Sequence, residues 1–285
     1  MKVLVTGGAG FIGSNLIEKL VKNNNLIITS LDNYISGKKS NHIIHKNVTY
    51  IEGNTWDSDK IFNDCHFDIV FHFGEYSRIN KSFENINILH KSIFVGTPCI
   101  LELVRKWNAK LIYSATSAGL NDKENLSPYS WMKNKMTELI KNYNNWYNIN
   151  YHLCYFYNVY GGDKEISEGD FSTVVAIFKK QYLNNSELTI VKPGTQERFF
   201  THVNDIVDAL IKVMKSNYIN ESWFLSHYKS YSINEVALMF NHKHKYIEER
   251  KGERYIPGFV DTNTYNKLNW IPKYNLENYI NGIIN

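Results

Sequence analysis

The sequence is poor in cysteine: Cys65, Cys99 and Cys154 are its only three in 285 residues. Their odd count and wide spacing argue against a disulfide framework, match no metal-ligand pattern and fit a reducing compartment. No run of Lys or Arg is long enough for a nucleic-acid arm or a membrane patch, and the formal charge is a modest +4. An anionic small molecule is the kind of partner that charge leaves open. No apolar stretch is able to span a bilayer, and Met1 leads straight into the strand-like run Lys2 to Thr6. A soluble, cytoplasmic protein with no metal, nucleic-acid or membrane partner is therefore expected. Internal repeats and low-complexity segments are also missing, although asparagine is frequent.

What is present is an ordinary globular balance, 43% hydrophobic and 21% charged, with 20 tyrosines and 15 phenylalanines. From Lys2 to about Asn158, short apolar or β-branched runs alternate with segments of helical period. That alternation predicts a Rossmann-type, doubly wound parallel sheet covered on both faces. The expected strands are Val3 to Val5, Leu26 to Leu31, Val48 to Ile51, Asp68 to Phe73, Lys110 to Tyr113 and Tyr151 to Tyr157. Ser127 as a cap and Pro128 in the first turn predict a helix running to about Tyr147. After Gly161-Gly162 the alternation decays into a helix near Thr173 to Tyr182 and short strands near Leu188 to Val191 and Trp223 to Ser226. A Ser232/Glu235 capping box introduces another helix. This divides the chain into a dinucleotide-binding domain over 1–160, with a return segment near 198–226, and a smaller α/β substrate lobe over 161–285.

Three motifs carry chemistry. Thr6-Gly7-Gly8-Ala9-Gly10-Phe11-Ile12-Gly13 lies between a strand and a helix, where glycines let the backbone approach a pyrophosphate and the helix N-terminus offers free N–H groups. A tight turn of purely structural purpose is the alternative. Asp32, ending the second strand, is placed to accept hydrogen bonds from ribose hydroxyls and to repel a 2′-phosphate, which favours NAD over NADP. Lys38 and Lys39 nearby are read as solvated. Tyr129 and Lys133, four residues apart, share one helix face after the fifth strand. An ammonium beside a phenol, or the charge of an oxidised nicotinamide, lowers the phenol pKa and suits Tyr129 to act as a general base near neutral pH. Tyr113-Ser114-Ala115-Thr116-Ser117 ends the fifth strand, where ligands collect in open α/β sheets. Its hydroxyls either hold a substrate oxygen or satisfy their own turn.

With these residues in place the chain resembles the extended short-chain dehydrogenases/reductases, specifically the nucleotide-sugar epimerases and dehydratases, over nearly its whole length. The resemblance implies NAD as cofactor, a nucleotide-diphosphate sugar as substrate and a role in supplying polysaccharide precursors. It aligns Tyr129, Lys133 and Thr116 with the catalytic set. It places Asn54 and Thr55 at the adenine, Asn33 beside Asp32, and Phe73 and Gly74 along the cofactor. Asn158, in Tyr155-Phe156-Tyr157-Asn158-Val159-Tyr160-Gly161, falls at the substrate diphosphate, and Arg198 and Arg250 match the arginines that grip phosphates through guanidinium forks. Glu75, Ser77 and Arg78 stand beside the sugar pocket, where the family commonly carries small residues. Asn54 replaces the usual Asp, Ile93 replaces an Asn three residues before Gly96, and the connection from Ser117 to Pro128 is short. A homodimer is implied through segments near Phe83 to Asn108 and Pro128 to Tyr147, which carry Ile100, Leu103 and Leu139.

The leading expectation is a 4-epimerase that oxidises the sugar transiently at carbon 4. A net 4-dehydrogenase or reductase shares the first half-reaction, and a catalytically silent dinucleotide-sensing protein shares the glycine turn. The last is disfavoured by the presence of Tyr129, Lys133 and Thr116. A 4,6-dehydratase is disfavoured because Ser117 and Ala118, rather than Asp-Glu, follow Thr116.

Overall fold

A computed structural model describes residues 1–120, 126–255 and 257–285. The chain opens with β1 (Lys2–Thr6), α1 (Phe11–Leu20), β2 (Ile27–Asp32), β3 (Val48–Glu52), α2 (Ser58–Ile61) and β4 (Ile69–His72). It continues through α3 (Ile86–His90), α4 (Gly96–Trp107), β5 (Lys110–Thr116), α5 (Pro128–Tyr147), β6 (Asn150–Phe156) and β7 (Asn158–Tyr160). Then come α6 (Val174–Leu183), β8 (Leu188–Val191), β9 (Glu197–His202), α7 (Val203–Lys215), β10 (Glu221–Leu225) and β11 (Ser230–Ser232). The described chain ends in α8 (Ile233–Met239), β12 (His244–Ile247), α9 (Asn263–Leu268) and α10 (Leu276–Ile284).

Seven parallel strands form the main sheet, in the order β10-β6-β5-β4-β1-β2-β3. The expected Rossmann-type fold is what the chain adopts. Its central strands are short and apolar because helices cover both faces. Val3, Val5 and Ile28 pack with Leu16, Ile17 and Leu210 on one side, whereas Leu4, Val70 and Leu111 pack with Ile100, Val104 and Ile140 on the other. From β1 the chain winds outward to β3, then crosses back to β4 and winds the other way. That reversal opens a crevice at the carboxyl ends of β1 and β4, the place where open α/β sheets bind ligands.

Two elements lie differently from the strand-by-strand reading. The run ending at Tyr157 divides: β6 stays in the main sheet, while β7 pairs with β9 in a three-stranded sheet completed by β11. The strand at Trp223 belongs to the main sheet, because α7 packs against α1 and β10 then pairs in parallel with β6. Trp223, fully buried, donates its indole N–H to His152 Nδ1 at 3.1 Å. The rest of the second lobe has its own apolar cluster, including Phe178, Ile190, Phe200, Val236 and Phe240, and a two-stranded sheet of β8 and β12.

Local chemistry sets the helix starts. Ser127 accepts from the Ser130 N–H with Pro128 at the first turn, Thr173 accepts from the Ala176 N–H, and Ser232 and Glu235 complete a capping box. The segment expected from Phe83 to Asn108 is not one helix. A π-turn over Lys91–Val95 separates α3 from α4. This inserts Ile93 into the core and leaves Ser92 on the crevice side. Ile100 and Leu103 are buried within the chain's own core and so do not face a partner, whereas Leu139 packs against that core while staying partly exposed. Of the connection from Ser117 to Pro128, residues 121–125 lie outside the described residues.

Trp223→Ala removes a large core side chain and leaves His152 Nδ1 without its donor. It is expected to cost about 3–5 kcal/mol, read as a lowered urea midpoint for the unfolding of the main sheet.

Candidate active site

The crevice widens into a cleft of about 700 Å³ between the main sheet and the second lobe. Gly7, Gly10, Phe11 and Ile12 line one end, Asp32 and Asn33 the edge beside it, and Phe73, Gly74 and Glu75 the floor. Thr116, Tyr129, Ser77 and Arg78 line the middle, and Asn158, Arg198 and Arg250 the side formed with the second lobe.

The glycine turn is built for close approach. Gly7 has φ +70°, and a Cβ there would stand 2.8 Å from the Phe73 backbone, while one on Gly13 would stand 2.2 Å from the Gly7 carbonyl oxygen. Gly13 therefore packs behind the turn rather than on the cleft. Helix α1 begins at Gly10 with no side-chain cap and no acidic residue in its first turn. Its leading N–H groups and positive dipole end are left for an anion. Asp32 is buried, accepting the Ala9 N–H at 2.9 Å and the Tyr34 N–H at 2.8 Å. Its pKa is raised by burial, against which the backbone donors pull. Asp32 thus also ties the glycine turn to β2, a role the sequence did not announce. Each of its oxygens keeps a lone pair for a hydroxyl. Of the two lysines nearby, Lys39 pairs with Glu52 at the surface, 2.8 Å apart. An adenosine diphosphate ribose fits this end of the cleft.

Asn54 and Thr55 do not line the cleft. Asn54 is one step removed, its Oδ1 accepting from Asn33 Nδ2 at 3.0 Å. Thr55 is buried beneath Gly74 and Gly96, where a Cβ on Gly96 would stand 2.2 Å from the Thr55 hydroxyl.

At the floor lies a buried polar chain whose proton directions follow from its ends. Thr6 Oγ1 accepts the N–H groups of Phe73 and Gly74 at 3.1 and 2.9 Å, so its own proton goes to His72 Nδ1 at 2.7 Å. His72 Nε2 then donates to Thr97 Oγ1 at 3.0 Å, and the Thr97 hydroxyl donates to Glu75 Oε1 at 2.6 Å. The histidine must be neutral, in accord with burial lowering its pKa to about 4. Glu75 Oε1 also accepts the Tyr113 hydroxyl at 2.9 Å, and Oε2 pairs with the Lys133 ammonium. The two charged side chains are only 3% and 2% exposed.

That pairing changes what Lys133 does in the ligand-free protein. Its three donors go to Glu75, to Tyr113 Oη at 2.7 Å and to the Ser114 carbonyl at 2.5 Å. Lys133 thus makes none of its three hydrogen bonds to Tyr129, the phenol that the sequence pattern has it tune. Burial pushes Tyr129 up to about 12, the Thr116 hydroxyl draws it down, Glu75 raises it and Arg78 lowers it. Thr116 meets both readings offered for its segment: Oγ1 accepts the Ala118 N–H at 3.1 Å, closing its own turn, and the side chain still lines the cleft.

On the second-lobe side, Asn158 Nδ2 donates to the Phe199 carbonyl at 3.1 Å. Arg198 is partly occupied, pairing with Glu253 and donating to the Arg254 and Glu197 carbonyls. Arg254 was not picked out from the sequence. It is buried, with Nη1 donating to the Ser117 carbonyl at 2.6 Å, and the only hint was its position in the Arg-Lys-Gly-Glu-Arg run. Ser114, in the hydroxyl-rich segment singled out from the sequence, also lines the cleft, as does Ser92, which carried no signal of its own.

Residues 3–223 match the NAD dependent epimerase/dehydratase family. The chain belongs to that family. It is accordingly an NAD-dependent enzyme of the nucleotide-sugar epimerase/dehydratase class. It is 32% identical, over 99% of its length and 97% of the other, to a protein of Methanocaldococcus jannaschii provisionally described as a UDP-glucose 4-epimerase. It is 30% identical to UDP-glucuronic acid decarboxylase 3 of Arabidopsis thaliana, over 76% of this chain and 67% of that one. In structure it is similar to the UDP-glucose 4-epimerase of Thermotoga maritima, with a TM-score of 0.90, 27% identity and coverage of 100% and 97% of the two chains. Membership thus spans more than one fate for the sugar. Among the described residues no helix is long and apolar enough to cross a membrane.

Glu75→Gln leaves the Lys133 ammonium buried without a counter-charge and is expected to cost about 3–5 kcal/mol, measured by urea unfolding. Combining it with Lys133→Met should return much of that loss. Because the Glu75 charge disfavours the Tyr129 phenolate, its removal should also move the acid limb of the kcat/KM profile to lower pH.

Proposed function

We propose that the chain is a nucleotide-sugar 4-epimerase. The observation that carries this reading is the placement of Tyr129 with Thr116 on the cleft, beyond the carboxyl ends of β4 and β5 and alongside the glycine turn. Bound NAD supplies the acceptor and donor of the hydride at sugar carbon 4. Tyr129 takes the proton of the 4-hydroxyl, Thr116 holds the same oxygen, and Tyr129 returns the proton after the sugar has presented its other face. Removing that proton at neutral pH requires the phenol to fall from about 12. The Arg78 charge is already part of that value, and the positive charge of oxidised nicotinamide would lower it further.

Gly7, Gly10, Phe11, Ile12, Asp32 and Asn33 hold the cofactor in this reading, with Phe73 and Gly74 beneath it and Gly13, Asn54 and Thr55 supporting from behind. Lys133 exchanges part of its contact with Glu75 for the nicotinamide ribose. Arg250, exposed at the rim, with Asn158 and Arg198, grips the substrate diphosphate and lets the sugar turn while it stays bound. Glu75, Ser77 and Arg78 shape the sugar end. The domain division at 160 is retained with a return segment that includes α7 and β10. A homodimer through α4 and α5 is supported by the exposure of Trp131, Trp146 and Tyr147 on α5.

Tyr129→Phe keeps the ring and removes the base, so NAD stays bound while turnover falls by roughly two to four orders of magnitude. With the wild type, a substrate deuterated at carbon 4 should give a 4-epimer that retains the label. Accumulation of a 4-keto sugar with labelled reduced cofactor would instead identify a net dehydrogenase. Full turnover by the Tyr129 variant would reject the assignment.

A further inference from the structure

The arginines on the cleft differ in how their charge is met. Arg198 has Glu253, and Arg254 is buried against the Ser117 carbonyl. Arg250 has no carboxylate partner among the described residues but is exposed, so water solvates it. Arg78 has no carboxylate partner among the described residues and is only partly exposed. It lines the cleft with its guanidinium 5.7 Å from the centre of the Phe171 ring, and its Nε is buried without any hydrogen-bond partner. The groups that act on its charge are the phenols of Tyr129 and Tyr76 and the like charge of Arg250, with no carboxylate among them. Desolvation lowers its pKa to about 10, so the guanidinium is still charged at neutral pH. The nearest carboxylates are committed elsewhere. Glu75 is saturated by Lys133, Tyr113 and Thr97, and Asp170 lies 3.6 Å from Lys81.

A partly buried guanidinium with an unpartnered Nε and no counter-charge is under-satisfied, and an anion entering the cleft would satisfy it. Position decides which anion. Arg78 acts on the Tyr129 hydroxyl, whereas Arg198 and Asn158 flank the second-lobe side of the cleft. If O4 of a hexose meets Tyr129, the substituents within reach of Arg78 are those on the ring carbons bonded to carbon 4. The acidic group that hexoses carry there is the carboxylate on carbon 5. We propose that the substrate is a nucleoside-diphosphate uronic acid whose carboxylate is held by Arg78. This rests on Tyr129 as the group that meets O4.

Calorimetry on the NAD-loaded full chain tests it with UDP-glucuronate against UDP-glucose, GDP-mannuronate against GDP-mannose, and UDP and GDP alone. Losing a charge-assisted contact should separate uronate from hexose by roughly tenfold or more in Kd. Arg78→Gln should erase that separation and leave the affinity for the free nucleotide unchanged, and Arg78→Lys should restore part of it. Equal binding of hexose and uronate in both series would overturn the proposal. So would an Arg78→Gln variant that weakens the free nucleotide as much as the uronate, which would make Arg78 a diphosphate ligand. Failure of the carbon-4 reading shows separately, as neither a 4-epimer nor a 4-keto product from any of these sugars. The calorimetric preference decides the carboxylate proposal in either case.

Discussion

The buried pair of Lys133 and Glu75 is the interaction on which the site depends. Two opposite charges with almost no solvent are sustained because every remaining donor and acceptor is matched: Thr97 and Tyr113 on Glu75, Tyr113 and the Ser114 carbonyl on Lys133. Through them the loop after β4 is joined to α4, β5 and α5. Through His72 and Thr6 the same network reaches the strand that opens into the glycine turn. A low-dielectric interior makes such a network either fully satisfied or strongly destabilising. This one is satisfied, and it fixes the floor of the cleft to the helix that carries Tyr129.

That arrangement has a consequence for chemistry. Burial keeps the phenol of Tyr129 high, and a lysine committed to a carboxylate brings little net charge to oppose it. The remaining positive influence from the protein comes from Arg78, on the sugar side. The positive charge of the oxidised cofactor would therefore complete the electrostatics of a base that is not prepared beforehand. Burial raises the phenol because water no longer stabilises its anion, and the charges that lower it again are those placed within the same dry volume.

The second lobe contributes by topology. Its sheet takes β7 directly from the end of β6 and returns the chain through β9 into α7, so the two lobes are connected twice on the same side of the cleft. Arg198 on β9 and Asn158 on β7 are thereby carried to the rim facing Tyr129.

Period and punctuation in the sequence determined the alternating strands and helices of the first half, the glycine turn, the acidic end of β2, and the caps at Ser127, Thr173 and Ser232. Each is a local matter, settled by residues within one turn or one strand of one another. The tertiary structure alone decided the rest. The sequence predicts a return segment near 198–226 but not its neighbours: β10 pairs with β6, and Trp223 donates to His152, 71 positions away. Glu75, read as a bulky neighbour of the sugar, is withdrawn to Lys133, 58 positions away. Asn54 and Thr55 stand behind the cleft because Asn33 and Gly74 occupy its surface. Arg78 is left without a counter-charge because every acid near it is already paired. Such outcomes rest on which distant side chains reach one another first, and a lone sequence carries no spacing that records it.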